Sequence, residues 1–108
     1  MVRLAVALDA PNARVAQDFL DAFRFLGVSV RIEPGCLGCC NWIDADMTVH
    51  YSEEWATEED MRQRVRSDQF TSLLAVVEAA RDPQVQFDFV MERRGLDYVM
   101  EIRADNAT

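Results

Sequence analysis

Four stretches in which every second residue is apolar constrain this chain more than any other feature of it. Val2, Leu4, Val6 and Leu8 alternate with small or polar residues, and the alternation recurs in residues 47–52, 84–92 and 96–103. A period of two is typical of a strand that buries one face. The sequence therefore predicts a sheet with one apolar side, which other elements must cover.

Helical patterns separate these strands. The first apolar stripe has spacings of four, four and three and consists of Val15, Phe19, Phe23 and Leu26. Such spacing places the side chains on one face of a helix. Thr57 and Asp60 resemble a capping box at a second helix start, and Ser67 is suited to cap a third helix. The dipeptide Asp82-Pro83 ends that helix, because the residue before proline avoids the α region.

The order of these elements predicts the fold class. Residues 36–43 are also interpreted as a strand, followed by a hairpin loop at 44–46, which gives β-α-β-β-α(α)-β-β over a single domain of residues 1–108. The first six elements fit the α+β, ferredoxin-like plan of an antiparallel sheet with its helices on one face. Residues 96–103 are predicted to add an extra C-terminal strand.

The charge of the chain excludes some partners. A net charge of −8 repels phosphate backbones, so we expect no nucleic-acid partner. No stretch approaches the roughly 18 consecutive apolar residues of a membrane helix, and the first residues have no signal-peptide pattern. Three cysteines without such a signal indicate reduced thiols, which predicts a cytoplasmic protein.

Three segments resemble a known family. They are PGCLGC at 34–39, YSEEWATEEDMRQRVRSDQFTSLL at 51–74 and RGLDYVMEIR at 94–103. The chain resembles the antibiotic biosynthesis monooxygenase domain family, of the dimeric α+β barrel type, and in particular its small bacterial members named as quinol monooxygenases. The likeness extends over nearly the whole chain.

The resemblance implies a homodimer in which two sheets face each other, and a ligand pocket between the sheet and the helices of each subunit. It implies oxidation of a quinol or phenol by dioxygen without metal or flavin, so no cofactor is expected. Similar proteins continue the first helix to the turn before PGC, which overrides the strand propensity of residues 28–32. Arg64 stands where many relatives carry a histidine, which argues against haem degradation.

Candidate substrate-binding residues lie on the predicted hairpin. If Ile43 faces Met47 across it, Asn41 and Tyr51 both point towards the helices, where a polar Asn41 requires a hydrogen-bond partner. These two residues are the candidates for orienting a phenolic substrate, and Trp55 is the candidate wall. Tyr51 and Trp55 are equally compatible with simple packing roles.

The same register places Cys40 opposite His50, about 5 Å away, where the imidazole would activate the thiol. The alternative is that both residues fill space beside Trp42. The C-x-x-C-C pattern of Cys36, Cys39 and Cys40 has no second cluster to complete a zinc site, so no metal is predicted.

Charged residues near the second helix have two interpretations. A buried Glu53 or Glu54 would have a raised pKa and serve as a base, whereas an exposed pair of acids at a strand end is the commoner case. Arg62, Arg64 and Arg66 are predicted to pair with acids on a solvated face. The chain contains no evident acid–base constellation, so a non-catalytic binding or structural barrel is the alternative function.

Overall fold

The computed structural model describes residues 1–106. Strands β1 to β4 span Val2–Asp9, Cys36–Ile43, Thr48–Trp55 and Gln84–Phe89, and helices α1 to α4 span Ala13–Val30, Glu58–Arg66, Asp68–Ala79 and Leu96–Asn106. The sheet order is β2-β3-β1-β4 and every neighbouring pair is antiparallel. This is the predicted ferredoxin-like α+β fold. No helix within the described residues is long and apolar enough to cross a membrane.

Helix α1 runs across the sheet to Val30, as the family resemblance implies and against local propensity. Val30 is fully buried and packs with Val2, Trp55 and Met61. Closer to β2, a Cβ on Gly27 would lie only 3.1 Å from the Cys39 sulfur. Burial of this last turn against the sheet outweighs the strand preference of the β-branched residues in it.

Side-chain caps start the first three helices. Asn12, Thr57 and Ser67 accept hydrogen bonds from the backbone N–H groups of Val15, Asp60 and Phe70. Each cap satisfies a donor that has no partner within its helix. The caps of the second and third helices are those that the sequence predicts.

The hairpin between β2 and β3 corrects the predicted register. The Met47 N–H donates to the Asp44 carbonyl, and Met47 has φ of 62°, so Met47 belongs to the turn. Ile43 consequently pairs with Val49, and Cys40 pairs with Ser52 instead of His50. Since the shift is two residues, each side chain keeps its predicted face of the sheet.

The predicted C-terminal strand is wrong, because residues 96–106 form α4. In a single described chain, β4 is the edge of the sheet, and the segment after it does not return alongside β4. A strand without a neighbour leaves its backbone N–H and C=O groups unpaired, whereas a helix pairs them internally. Leu96, Met100 and Ala104 are also good helix formers.

Candidate functional site

Glu53 is a fully buried carboxylate at the centre of the layer between sheet and helices. It lies on β3 between Tyr51 and Trp55, and alternation along the strand directs all three side chains towards the helices. The Tyr51 hydroxyl donates to Oε2 at 2.5 Å, and the Trp55 indole N–H donates to Oε1 at 3.0 Å. The strand itself therefore supplies two donors to its own buried acid.

Arg64 supplies the opposite charge from α2. Its Nη2 lies 3.1 Å from Oε2 of Glu53 and its Nε lies 3.2 Å from Oε1, a forked pairing that fixes both groups. Arg64 is 3% exposed, so its predicted place on a solvated face is wrong. Burial by itself would lower the pKa of Arg64, but the hydrogen bonds and charge of Glu53 raise it overall. We call Tyr51, Glu53, Trp55 and Arg64 the Glu53 network.

Tyr51 is held protonated within this network. Burial raises its pKa far above the ordinary value, and the adjacent Glu53 carboxylate raises it further, because a tyrosinate would face a second negative charge. Its ring packs on Phe23 with centroids 4.9 Å apart. Tyr51 is therefore a hydrogen-bond donor to Glu53 and has no free hydroxyl for a ligand in this arrangement.

A cleft of about 170 Å³ opens beside the Glu53 network. We call it the Trp55 cleft; it is lined by Glu33, Pro34, Trp55, Asp60, Gln63, Arg64 and Ser67. The Thr57 cap and the turn before β2 bring Asp60 and Glu33 to the cleft, and Gly35 has φ of 86° in that turn. The cleft thus presents two carboxylates and an amide, and the nearly fully buried Trp55 and Arg64 lie at its base.

The three predicted substrate-binding residues have different positions relative to this cleft. Trp55 lines it, whereas Asn41 and Tyr51 do not. Asn41 is half-buried on β2 and pairs with Tyr51 across the strands. Their role in orienting a substrate stays a prediction.

The predicted pairing of Cys40 with His50 is also wrong, because the turn shifts the register. The Cys40 sulfur lies 3.0 Å from the Ser52 hydroxyl. His50 instead stacks on Trp42, with ring centroids 4.8 Å apart, and its Nε2 lies 2.9 Å from the Asp44 carboxylate. This hydrogen bond is the main reason that the pKa of Asp44 is lowered.

The other thiols are poorly placed for reactivity. Burial raises the pKa of Cys39 and of Cys36, so the reactive thiolate is disfavoured at both positions. Among residues 1–106, no group of three His, Cys, Asp or Glu side chains is arranged to hold a metal ion. Cys39 lies within the main hydrophobic core, and Cys36 packs against the cluster of Val2, Val30, Trp55 and Met61.

The sequence singles out Tyr51 and Trp55, but it leaves Glu53 and Glu54 undecided and places Arg64 wrongly on a solvated face. Alternation along β3 already puts Glu53 on the same face as Tyr51 and Trp55, and a carboxylate on an apolar face requires a partner. That partner, Arg64, comes from an element eleven residues later, so strand periodicity alone does not identify it. The helical periodicity of α2 indicates Arg64 instead, because Arg64 lies three residues after Met61 and therefore on the same helix face. Both residues are buried.

Comparison with solved structures gives the class of fold. No known family profile and no curated protein matches the chain. The chain is similar to a "putative antibiotic biosynthesis monooxygenase" from Deinococcus radiodurans, with a TM-score of 0.76 and 18% identity over 89% of this chain and 98% of the other.

Two further structures support the same assignment. One is an antibiotic biosynthesis monooxygenase, with a TM-score of 0.67 and 20% identity over 85% of this chain and 100% of the other. The second is Rv0793 from Mycobacterium tuberculosis, with a TM-score of 0.70 and 13% identity over 88% of this chain and 100% of the other. At such identity the likeness establishes a shared fold, that of the antibiotic biosynthesis monooxygenases.

Proposed function

We propose that the protein is a monooxygenase that oxidises a single-ring quinol or phenol with dioxygen and without a cofactor. The observation that carries this proposal is the Trp55 cleft, on a fold shared with proteins named as monooxygenases. Its volume of about 170 Å³ is comparable to the roughly 150 Å³ that a single benzene ring occupies in a closed cavity, so one ring fits within this open cleft.

The polar groups of the Trp55 cleft suit a neutral substrate that donates hydrogen bonds. Glu33 and Asp60 offer carboxylate oxygens, while the positive charge of Arg64 is already paired with Glu53. A carboxylate that accepts the proton of a bound quinol generates the electron-rich quinolate, which is the species that reduces dioxygen. In the balanced reaction, quinol and O₂ give a hydroxyquinone and water, so one oxygen atom enters the ring and the substrate supplies all the electrons.

Trp55 and Arg64 position the ring in this proposal. The Trp55 N–H is fixed by Glu53, so the buried indole has one orientation and forms a constant base beneath the cleft. Tyr51 acts indirectly, because its hydroxyl donates a hydrogen bond that helps to fix Glu53. Asn41 would contact substrate only if the layer next to Tyr51 opened.

Oxygen consumption with a panel of hydroquinones and catechols tests the proposal. Asp60→Asn should lower kcat/KM by about 100-fold, the usual contribution of a general base. Glu59→Gln is the matched control, since Glu59 is the exposed neighbour on the same helix and does not line the cleft. If the wild-type protein consumes no oxygen with any member of the panel, the monooxygenase proposal fails.

A non-catalytic binding protein is the second candidate, and the closed Glu53 network favours it. Tyr51, Trp55 and Arg64 all direct their donors at Glu53, which leaves the residues of this network without a free acid or base. In that case a quinol should raise Tm without oxygen consumption. The two measurements on one protein sample separate the candidates.

We also propose that the protein is a homodimer formed through the open face of the sheet, opposite the helices. Trp42 is 42% exposed on that face and stacks on His50, and small residues such as Ala5 and Ala7 leave room for a second sheet. A Trp42→Glu variant should shift sedimentation towards the monomer. An unchanged dimer in that variant would argue against pairing through this face.

A further inference from the structure

Two apolar surfaces of this chain lack a cover within the described residues. The first is a groove of about 330 Å³ between α2 and the edge strand β4. This α2–β4 groove is lined by Glu58, Met61, Arg62, Val65, Arg66, Phe87 and Phe89. Phe87 and Phe89 point to the helix side of the sheet, yet they stay 40% and 53% exposed because no helix of residues 1–106 packs over β4.

The second uncovered surface is α4. All of its residues from 96 to 105 are exposed, including the large apolar side chains of Leu96, Tyr98, Val99, Met100 and Ile102. A helix of 11 residues is marginal in water without tertiary packing. This segment therefore requires a surface to bury its apolar residues.

The chain holds α4 away from its own groove. After β4, the Val90 N–H donates to the Met1 carbonyl, and Arg93 lies 3.8 Å from Glu54. Glu54 points to the open face of the sheet, because its neighbour Glu53 points to the helices. The segment that leads to α4 thus leaves on the open side, whereas the α2–β4 groove lies on the helix side.

Charges of matching spacing favour contact between the two surfaces. Arg62 and Arg66 lie one helical turn apart at the rim of the groove, and Asp97 and Glu101 lie one turn apart on α4. Arg62 is partly compensated by Glu58 at 3.2 Å. Arg66 makes no ion pair with any of residues 1–106, so it should attract an acidic helix more strongly than Arg62 does.

We propose that α4 of one copy docks into the α2–β4 groove of a second copy, and that the exchange is reciprocal. The docked helix lays apolar residues on Phe87 and Phe89 and brings its acids to Arg62 and Arg66. The inference requires a second copy, as the proposed dimer does. It depends neither on the quinol chemistry nor on pairing of the open faces.

Removal of α4 is the first test. A chain that ends at Gly95 retains every element of the sheet and of the helical layer, and circular dichroism checks that it folds. Sedimentation equilibrium should show a dimer Kd raised by about 100-fold, since several half-exposed apolar side chains lose their burial. An unchanged Kd overturns the inference while leaving the open-face dimer intact, and a monomeric full-length chain overturns both.

Mixed charge reversal is the second test, and it separates exchange from docking within one chain. Arg62→Glu/Arg66→Glu in one chain and Asp97→Arg/Glu101→Arg in another should each weaken the dimer, because like charges then meet. In an equimolar mixture both contacts of the heterodimer regain opposite charges, so the dimer should return.

If α4 docks within its own chain, the equimolar mixture should dimerise as weakly as each charge-reversed variant does alone. That result overturns the exchange. The matched control is Arg14→Glu/Arg24→Glu, which reverses two exposed arginines of α1 that do not line the groove. It should not change the Kd of the wild-type dimer.

Discussion

Replacing Glu53 by glutamine tests the physical core of the candidate site. The amide keeps the shape of the side chain but removes its charge, and Arg64 is then a buried cation without a counterion. The two carboxylate oxygens of Glu53 accept from Tyr51, Trp55 and Arg64, whereas an amide has one oxygen to accept and an NH₂ group that opposes the remaining donors. Loss of one partner of a buried ion pair costs about 3–5 kcal/mol, and we expect that loss for Glu53→Gln.

A double variant shows whether the cost arises from the stranded charge. Arg64→Met added to Glu53→Gln removes the buried cation and leaves one acceptor for the donors of β3, so the double variant should be more stable than Glu53→Gln alone. The matched control is Glu54→Gln on the other face of β3, where the carboxylate lies 3.8 Å from Arg93 and is partly exposed. That change should cost less than about 0.5 kcal/mol.

Urea unfolding followed by circular dichroism at one fixed protein concentration gives these free energies. The fixed concentration matters because association stabilises the folded state by mass action. If Glu53→Gln lowered the free energy of unfolding by less than about 1 kcal/mol, the cost would be that of an exposed ion pair. The assignment of a buried Glu53–Arg64 pair would then be refuted. Strictly additive effects of the two substitutions would refute the coupling between Glu53 and Arg64.

Three further outcomes follow from the same contacts. The raised pKa of Tyr51 means that its stabilising contribution is complete below about pH 10 and is lost as pH rises above that value; urea midpoints measured across this range should show that Tyr51→Phe flattens the alkaline arm, and an unchanged arm would contradict this. Thiol titration at pH 8 of the Trp42→Glu variant, in which the open face is free, should label the exposed Cys40 at least about tenfold faster than the buried Cys39, and equal rates would contradict the assigned burial. Gly35→Ala should lower the free energy of unfolding by at least about 1 kcal/mol, because φ is 86° there and an added Cβ would collide with the Asp60 side chain; an unchanged urea midpoint would contradict this.

Strand periodicity predicted most of the fold because burial on one face of a sheet leaves a pattern in the sequence. The register of the hairpin was missed because Met47 continues the apolar alternation although it belongs to the turn, with φ of 62°. The nature of residues 96–106 was missed for a related reason. Alternation reports which side chains would share a face of a strand, but not whether a neighbouring strand exists to pair with it.

The candidate site was only partly predictable. Trp55 stands out as a bulky aromatic side chain at the end of a strand, and it does line a cleft. Glu53 and Glu54 are indistinguishable by residue type, and only the phase of β3 separates a fully buried carboxylate from a partly exposed one. The assignment of Arg64 depended on tertiary packing of α2 against β3, which local patterns of charge do not contain.

The Glu53 network and the Trp55 cleft share Trp55 and Arg64, so the proposed binding of a quinol predicts a thermodynamic link between binding and stability. A quinol that binds the ordered cleft stabilises the folded state by about 2.7 kcal/mol at a hundredfold excess over Kd. Glu53→Gln frees the indole N–H or the guanidinium from its acceptor, so the ordered cleft becomes only one of several arrangements and the apparent affinity falls. Asp60→Asn alters a wall of the cleft without touching the network, so it should weaken binding and leave the unfolding free energy in ligand-free buffer nearly unchanged. If Glu53→Gln and Asp60→Asn instead lowered stability and affinity in the same proportion, ligand affinity would depend only on the stability of the core. The Trp55 cleft would then not be a separate binding site.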